Sequence, residues 1–91
     1  MSSSDQLPDD SSEPVQENSP GRILKAARIE QNQSQLDISK ALNISEQRVE
    51  ALEQDYYTPF SGRTYVRGYL LNYGRMLNVD SQSLLDAFNQ I

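Results

Sequence analysis

Three tyrosines spaced four residues apart are the side chains of this sequence best suited to binding another molecule. Tyr65, Tyr69 and Tyr73 stand at positions i, i+4 and i+8, so a helix would place them along one side. A tyrosine has an apolar ring and a polar tip, which suits a surface that binds protein yet stays in water. Because such a stripe can also pack into a core, the sequence alone poses a choice between docking surface and core face.

Helical periodicity separates the three tyrosines. At about 100° per residue, one narrow arc holds the predicted core face of this helix: Val66, Leu70, Tyr73 and Leu77. Tyr73 is therefore predicted to be core, whereas Tyr69 borders the arc and suits core or surface equally. Tyr65 lies farthest from the arc and is the best candidate for a surface contact. Arg63 and Arg67 are further candidates for partner contacts, with plain solvation as the alternative for Arg67.

The sequence lacks the residue types on which most enzyme and metal sites depend. Its 91 residues include no cysteine and no histidine, which removes thiol chemistry, the commonest general base and the commonest metal ligand. Gly62 and Gly68 are not followed by the Lys-Ser/Thr pair of a phosphate-binding loop. We therefore expect a chain that is not an enzyme, with no cofactor and no metal.

Charge divides the chain into two parts. Residues 1–19 carry five acidic and no basic side chains, so they account for the whole net charge of −5, and residues 20–91 are neutral. Few apolar residues occur in 1–19, so we predict a disordered acidic tail there and a folded domain over 20–91. A neutral domain with an acidic tail is a poor electrostatic match for a nucleic acid.

Capping residues and apolar spacing predict five helices and an all-α fold. Ser19-Pro20, Ser34, Ser45 and Asp80 are start signals, and Asn43 suits a left-handed helix end. The predicted helices run from Pro20 into the polar stretch 30–33, from Gln35 to Leu42, from Glu46 to about Gln54, from about Gly62 to Leu77, and from Ser81 to Ile91. The second and third helices, joined by a short turn, form a helix-turn-helix unit.

Several buried positions follow from the same spacing. The residues predicted to face inward on the second and fifth helices are Ile38, Ala41, Leu42, Leu84, Phe88 and Ile91. Gly68 and Gly74 interrupt the fourth helix at a cost of about 1 kcal/mol each. Close helix packing is the simpler explanation for both glycines, although Gly68 could also allow a partner to approach.

A helix-turn-helix unit raises the possibility of DNA binding. Gln35, Gln47 and Arg48 are the candidates for base or phosphate contacts. However, the segment from Glu46 to Asp55 carries one basic and four acidic side chains, which would face phosphates. Charge therefore disfavours DNA binding, and a sequence-specific regulator remains the alternative interpretation.

Two stretches of the sequence resemble known families. The pattern from Leu24 through Ser34-Gln35 and Ala41-Leu42-Asn43-Ile44-Ser45 to Leu52-Glu53 resembles the helix-turn-helix of the phage-repressor/Cro superfamily. The run Thr64–Arg75, TYVRGYLLNYGR, with Leu77-Asn78-Val79-Asp80 and Leu84-Leu85 after it, resembles the cytoplasmic domain of the RodZ family of bacterial cell-shape proteins. The second resemblance is the more specific one, and it implies a five-helix, lambda-repressor-like domain.

The resemblance also implies a partner and a place in the cell. Members of that family bind the bacterial actin homologue MreB through the fourth helix, and their docking aromatics match Tyr65 and Tyr69. The resemblance to the phage-repressor/Cro superfamily implies an internal ion pair between Arg28 and Glu53. The RodZ-family resemblance further implies a cytoplasmic domain linked to the inner membrane by segments that this chain does not contain. Leu71 departs from the polar or basic residue expected on the outer face of this helix.

Overall fold

A computed structural model describes residues 19–91 of the chain. Its helices are α1 (Pro20–Glu30), α2 (Gln35–Leu42), α3 (Glu46–Glu53), α4 (Arg63–Met76) and α5 (Ser81–Phe88). The predicted all-α, five-helix fold with a helix-turn-helix is confirmed, and most helix bounds agree with the prediction to within one residue. The predicted disordered tail lies outside the described residues, except for Ser19. None of the five helices is long and apolar enough to cross a membrane.

Side-chain caps start four of the five helices. Ser19, Ser34, Ser45 and Asp80 each accept a hydrogen bond from a backbone N–H in the first turn that follows. At Ser34 the cap is reciprocal, because the Asp37 carboxylate also accepts from the Ser34 N–H at 2.9 Å. α4 is the exception: it begins after Gly62, with no side-chain cap.

All five helices contribute to one hydrophobic core. Tyr73 is its largest fully buried side chain and lies among apolar residues from every helix. The fully or nearly fully buried members are Leu24, Ile38, Val49, Leu52, Val66, Leu70, Tyr73, Leu77, Leu84 and Phe88. Phe60 joins them from the loop between α3 and α4. The core thus fixes α4 by its Val66–Leu77 arc and leaves the opposite side in solvent.

Two predicted core positions are wrong. Ala41 is exposed, because the buried stripe of α2 lies between Ile38 and Ser39, and Ala41 falls on the far side of Ile38. Ile91 is also exposed, because α5 ends at Phe88 and the helical periodicity does not extend to the last residue.

The two glycines of α4 have different surroundings. A Cβ atom added at Gly74 would lie 2.4 Å from Leu84 Cδ1, so close packing of α4 on α5 explains that glycine. At Gly68 an added Cβ would meet no atom within 4 Å. The packing explanation is therefore wrong for Gly68, which lies on the exposed side of the helix.

Candidate protein-binding site

The three tyrosines of α4 are graded from solvent to core. Tyr65 is 62% exposed, Tyr69 is half-buried against the core, and Tyr73 is completely buried. One edge of α4 therefore carries the exposed ring of Tyr65 next to the ring of Tyr69, which is partly buried. Such an edge can provide apolar contact area without a loss of fold stability.

Tyr65 and Tyr69 line a shallow depression on the surface of α4. The depression is formed by Thr64, Tyr65, Gly68, Tyr69 and Asn72, which are called here the tyrosine edge. Gly68 has no side chain and no neighbour above it, so the helix backbone is accessible between the two rings. A partner could therefore approach α4 more closely here than a side chain at position 68 would allow.

A loop aromatic supports the tyrosine edge from beneath. The Phe60 ring packs at a tilt against Tyr69, with 5.6 Å between ring centroids. The Arg48 guanidinium in turn lies 5.5 Å from the centroid of Phe60. Because Phe60 is buried, it limits the positions open to the Tyr69 ring. Phe60 was missed in the sequence, where it stands in a loop without helical spacing.

The two candidate arginines do not join the tyrosines. Arg67 lies about 160° around the helix from Tyr65 and Tyr69, and it borders an apolar groove between α4 and α5 with Leu71 and Leu85. Arg63 is bound within the domain: its Nη2 donates to the Phe88 carbonyl oxygen at 2.9 Å, and its guanidinium stacks 4.0 Å from the Phe88 ring centroid. Arg63 thus holds the start of α4 to the end of α5.

The candidate DNA-contacting residues are only partly free. The Gln35 side-chain amide donates to Glu50 Oε1 at 2.5 Å and to Glu53 Oε1 at 3.0 Å, so it is bound to α3. Gln47 and Arg48 are exposed in the first turn of α3. They share that helix with Glu46 and Glu50, which are also exposed and carry the opposite charge to Arg48.

Arg28 and Glu53 form a salt bridge between α1 and α3. Arg28 Nε lies 2.6 Å from Glu53 Oε2 and Arg28 Nη2 lies 3.1 Å from Oε1, so the pair is bidentate. The Tyr73 hydroxyl also donates to Glu53 Oε2, and Arg28 Nη1 donates to the Gln33 carbonyl oxygen at 3.0 Å. The Glu53 side chain is only 1% exposed, yet its carboxylate has several donors.

These contacts shift the protonation equilibria of the network. Burial opposes the charged form of Glu53, but hydrogen bonds from Arg28, Tyr73 and Gln35 outweigh it and hold the pKa of Glu53 below its usual range. The hydrogen bond to Glu53 raises the pKa of Arg28. Burial, followed by the hydrogen bond to Glu53, raises the pKa of Tyr73. The network is therefore an ionised carboxylate held by a permanent cation and a neutral phenol.

Asp55 makes a second polar connection that sequence reasoning missed. Its Oδ1 accepts from the Gly21 backbone N–H at 2.8 Å and from the Tyr57 hydroxyl at 2.7 Å. Asp55 has a positive φ of 59°, a conformation that aspartate tolerates better than most residues. It thereby fastens the start of α1 to the end of α3. The sequence did contain a signal for this contact, because Asp55 is an acidic residue directly after the predicted third helix.

The described residues offer no arrangement that resembles a metal centre. No group of three or more acidic side chains within residues 19–91 is placed to hold a metal ion.

Comparison with known proteins identifies the class to which this fold belongs. The model of the helix-turn-helix domain family matches residues 23–84, which include most of α1 and all of α2, α3 and α4. The chain belongs to this helix-turn-helix domain family. No solved structure matches the chain with significance.

A curated relative narrows the similarity to one kind of protein. The chain is 32% identical over 69 residues to the cytoskeleton protein RodZ of Streptococcus pneumoniae. The aligned part covers 76% of this chain and 25% of the relative, so the chain corresponds to about a quarter of that protein. This similarity supports the resemblance to the N-terminal helix-turn-helix domain of RodZ.

Proposed function

We propose that the chain is a non-catalytic adaptor domain that binds the bacterial actin homologue MreB through the tyrosine edge of α4. The observation that carries the proposal is the 62% exposure of Tyr65 beside the half-buried Tyr69. Aromatic anchors of this kind dominate the energetics of protein interfaces. Similarity to a cytoskeleton protein supports a cytoskeletal partner.

The proposed mechanism is mechanical coupling and involves no chemical reaction. A filament repeats the same subunit many times, so many domains can bind it together and weak contacts gain strength through avidity. Each contact can then be small, consistent with the few side chains of the tyrosine edge. Weak individual contacts would also let the domain exchange between subunits of a filament.

We further propose that residues 20–91 act in the cytoplasm and that the protein links the filament to the inner membrane for maintenance of rod shape. Segments outside this chain would make the membrane connection. In this arrangement the acidic residues 1–19 form a tail that precedes the binding domain. Fractionation of cells that express the full gene would test the location.

The docking site is tested by replacing both tyrosines. Tyr65→Ala with Tyr69→Ala should weaken co-sedimentation with MreB filaments, because truncation of an interface tyrosine costs about 2 kcal/mol, or roughly thirtyfold in affinity. Tyr56→Ala is the matched control, since Tyr56 is 55% exposed but lies outside α4. Circular dichroism would establish that each variant remains helical.

The possible outcomes separate the partner from the site. A folded double variant that pellets as well as the parent protein would show that the tyrosine edge is not the docking surface. If the parent protein itself does not pellet with MreB, the partner is wrong. Equal losses for the double variant and for Tyr56→Ala would point to a nonspecific aromatic effect.

DNA binding remains the second candidate function because Gln47 and Arg48 are exposed at the start of α3. The acidic side chains of the same helix oppose it. We therefore expect no saturable binding to duplex DNA at physiological salt, measured by fluorescence anisotropy. Nanomolar affinity with a steep dependence on salt would instead support a transcriptional regulator.

A further inference from the structure

A second surface, on the outer side of α1, has the shape and charge to bind an acidic segment. A groove runs between this side of α1 and the end of α3, and is called here the α1–α3 groove. It is lined by Arg22, Lys25, Ala26 and Ile29 from α1 and by Gln54 and Asp55 after α3. Ile29 is 55% exposed and provides an apolar contact at one end.

Of the four charged side chains that line this groove, the two acidic ones are held within the fold and the two basic ones are exposed. Glu53 also borders it, but its carboxylate is bound by Arg28. Asp55 Oδ1 already accepts from the Gly21 N–H and the Tyr57 hydroxyl. Arg22 and Lys25 are exposed and lie one turn apart.

The Asp55 carboxylate balances the start of α1, because it accepts from the Gly21 N–H, so the positive character of the groove comes from Arg22 and Lys25 alone. The groove therefore fits an acidic peptide with an apolar side chain.

The chain itself contains such a peptide directly before α1. Residues 1–18 hold five acidic and no basic side chains, and they join the domain at Ser19. Ile29 lies about 15 Å along α1 from Ser19, a distance that four or five extended residues span. Val15 stands four residues before Ser19 in the sequence. In an extended chain, Glu17 shares a face with Val15 because side chains alternate, and it lies about 7 Å from Ser19, level with Arg22 and Lys25 on α1.

We propose that the acidic segment 1–18 binds the α1–α3 groove of its own domain. Val15 packs on Ile29, and the carboxylate of Glu17 pairs with Arg22 and Lys25. The covalent link gives the segment a high effective concentration at the groove, so weak contacts suffice. The groove lies on α1 and α3, away from the tyrosine edge of α4, so this inference does not depend on MreB binding.

A single spin label tests the proposal in the full chain. The sequence has no cysteine, so Ser11→Cys creates a unique labelling site two residues before Glu13. Paramagnetic broadening should remove most of the amide signal intensity at Lys25, Ile29 and Gln54. The amides of Thr64 and Gly68, on the tyrosine edge, should keep theirs.

Charge variants show whether the predicted contacts hold the segment. Arg22→Gln with Lys25→Gln should restore the signals of the groove, whereas Lys40→Gln with Arg75→Gln, which removes the same charge elsewhere, should not. Glu17→Gln should act in the same direction, without any change to the folded domain. About 1 M salt, where the Debye length is about 3 Å, should also restore the signals.

Three outcomes would overturn the proposal. The first is broadening confined to the residues next to Ser19, and the second is broadening that persists in both the groove and the segment variants. The third is broadening in a mixture of two proteins, one that carries the spin label but no ¹⁵N and one that is ¹⁵N-enriched but carries no spin label. That result would assign the groove to the acidic segment of a second copy instead.

Discussion

The helices α3 and α4 differ in how their side chains are held. On α3, Glu53 is bound by Arg28, Tyr73 and Gln35, and Glu50 accepts from the same Gln35 amide. On α4, Tyr65 lies 62% exposed beside a glycine with open space above it. In this helix-turn-helix domain, the end of α3 is therefore tied into the fold while Gln47 and Arg48 at its start are exposed, and the free apolar contact area lies one helix later.

The largest expected effect follows from breaking the network on α3. Glu53→Gln leaves the Arg28 guanidinium without its carboxylate and should lower the free energy of unfolding by about 3–5 kcal/mol. Urea denaturation measures the change. Glu50→Gln, an exposed position on the same helix, should stay within about 0.5 kcal/mol. Similar losses of stability for both variants would mean that the Glu53 network stabilises the domain no more than the exposed Glu50 does.

The two glycines of α4 should respond with opposite signs. Gly74→Ala forces a methyl group against Leu84 and should destabilise the domain by about 1–3 kcal/mol. Gly68→Ala places its methyl group in open space and should stabilise the helix by up to about 1 kcal/mol. If the partner approaches the backbone between the tyrosines, the more stable Gly68→Ala protein should nevertheless bind MreB filaments more weakly. Thermal unfolding and co-sedimentation of both variants measure the two effects, and a Gly68→Ala protein that binds as the parent does would remove the glycine from the docking site.

Removing single hydroxyl groups compares the buried and exposed tyrosines. Tyr73→Phe takes a donor from the Glu53 carboxylate and should cost about 1–3 kcal/mol of stability. Tyr65→Phe, in solvent, should change stability by less than about 0.5 kcal/mol. Chemical denaturation of both variants is the measurement. A stability loss at Tyr65 as large as that at Tyr73 would contradict the gradient from solvent to core.

The free energy of unfolding should depend on pH through the protonation of Glu53. Its pKa is lower in the folded protein than its usual value of 4.5, so the folded state binds fewer protons than the unfolded state. The stability that Glu53 contributes is therefore complete above pH 4.5 and is lost as the pH falls through the folded pKa. One proton corresponds to a slope of at most about 1.4 kcal/mol per pH unit. Urea denaturation between pH 2 and 7 should show a smaller loss of stability in acid for Glu53→Gln than for the parent protein. Equal losses for the two proteins would mean that Glu53 does not cause this pH dependence.

Local signals in the sequence predicted much of the fold. Ser19, Ser34, Ser45 and Asp80 are caps that act within one turn, so the start of each of their helices could be predicted from neighbouring residues. The end of α5 could not, because Ile91 continues the apolar spacing after the helix has stopped. Ala41 failed for a related reason: a short helix shows too few turns to fix the centre of its buried stripe.

The candidate site was predictable where it depends on helical rotation and not where it depends on contacts between helices. The order of exposure of Tyr65, Tyr69 and Tyr73 follows from 100° per residue. Arg63 contacts Phe88, which lies 25 residues later in the sequence. Tyr69 is supported by Phe60, which lies in a loop. Neither helical periodicity nor the neighbouring residues in the sequence indicate such contacts.

The attachment of Arg63 to the end of α5 has a consequence for preorganisation. α4 begins after Gly62 without a side-chain cap, and Tyr65 lies in its first turn, where an uncapped helix frays. By bonding to Phe88, Arg63 keeps that turn formed before any partner arrives, so less conformational entropy is lost when Tyr65 is bound. Arg63 would thus strengthen binding without touching the partner, and the end of α5 would tune the affinity of a residue more than twenty positions earlier in the chain.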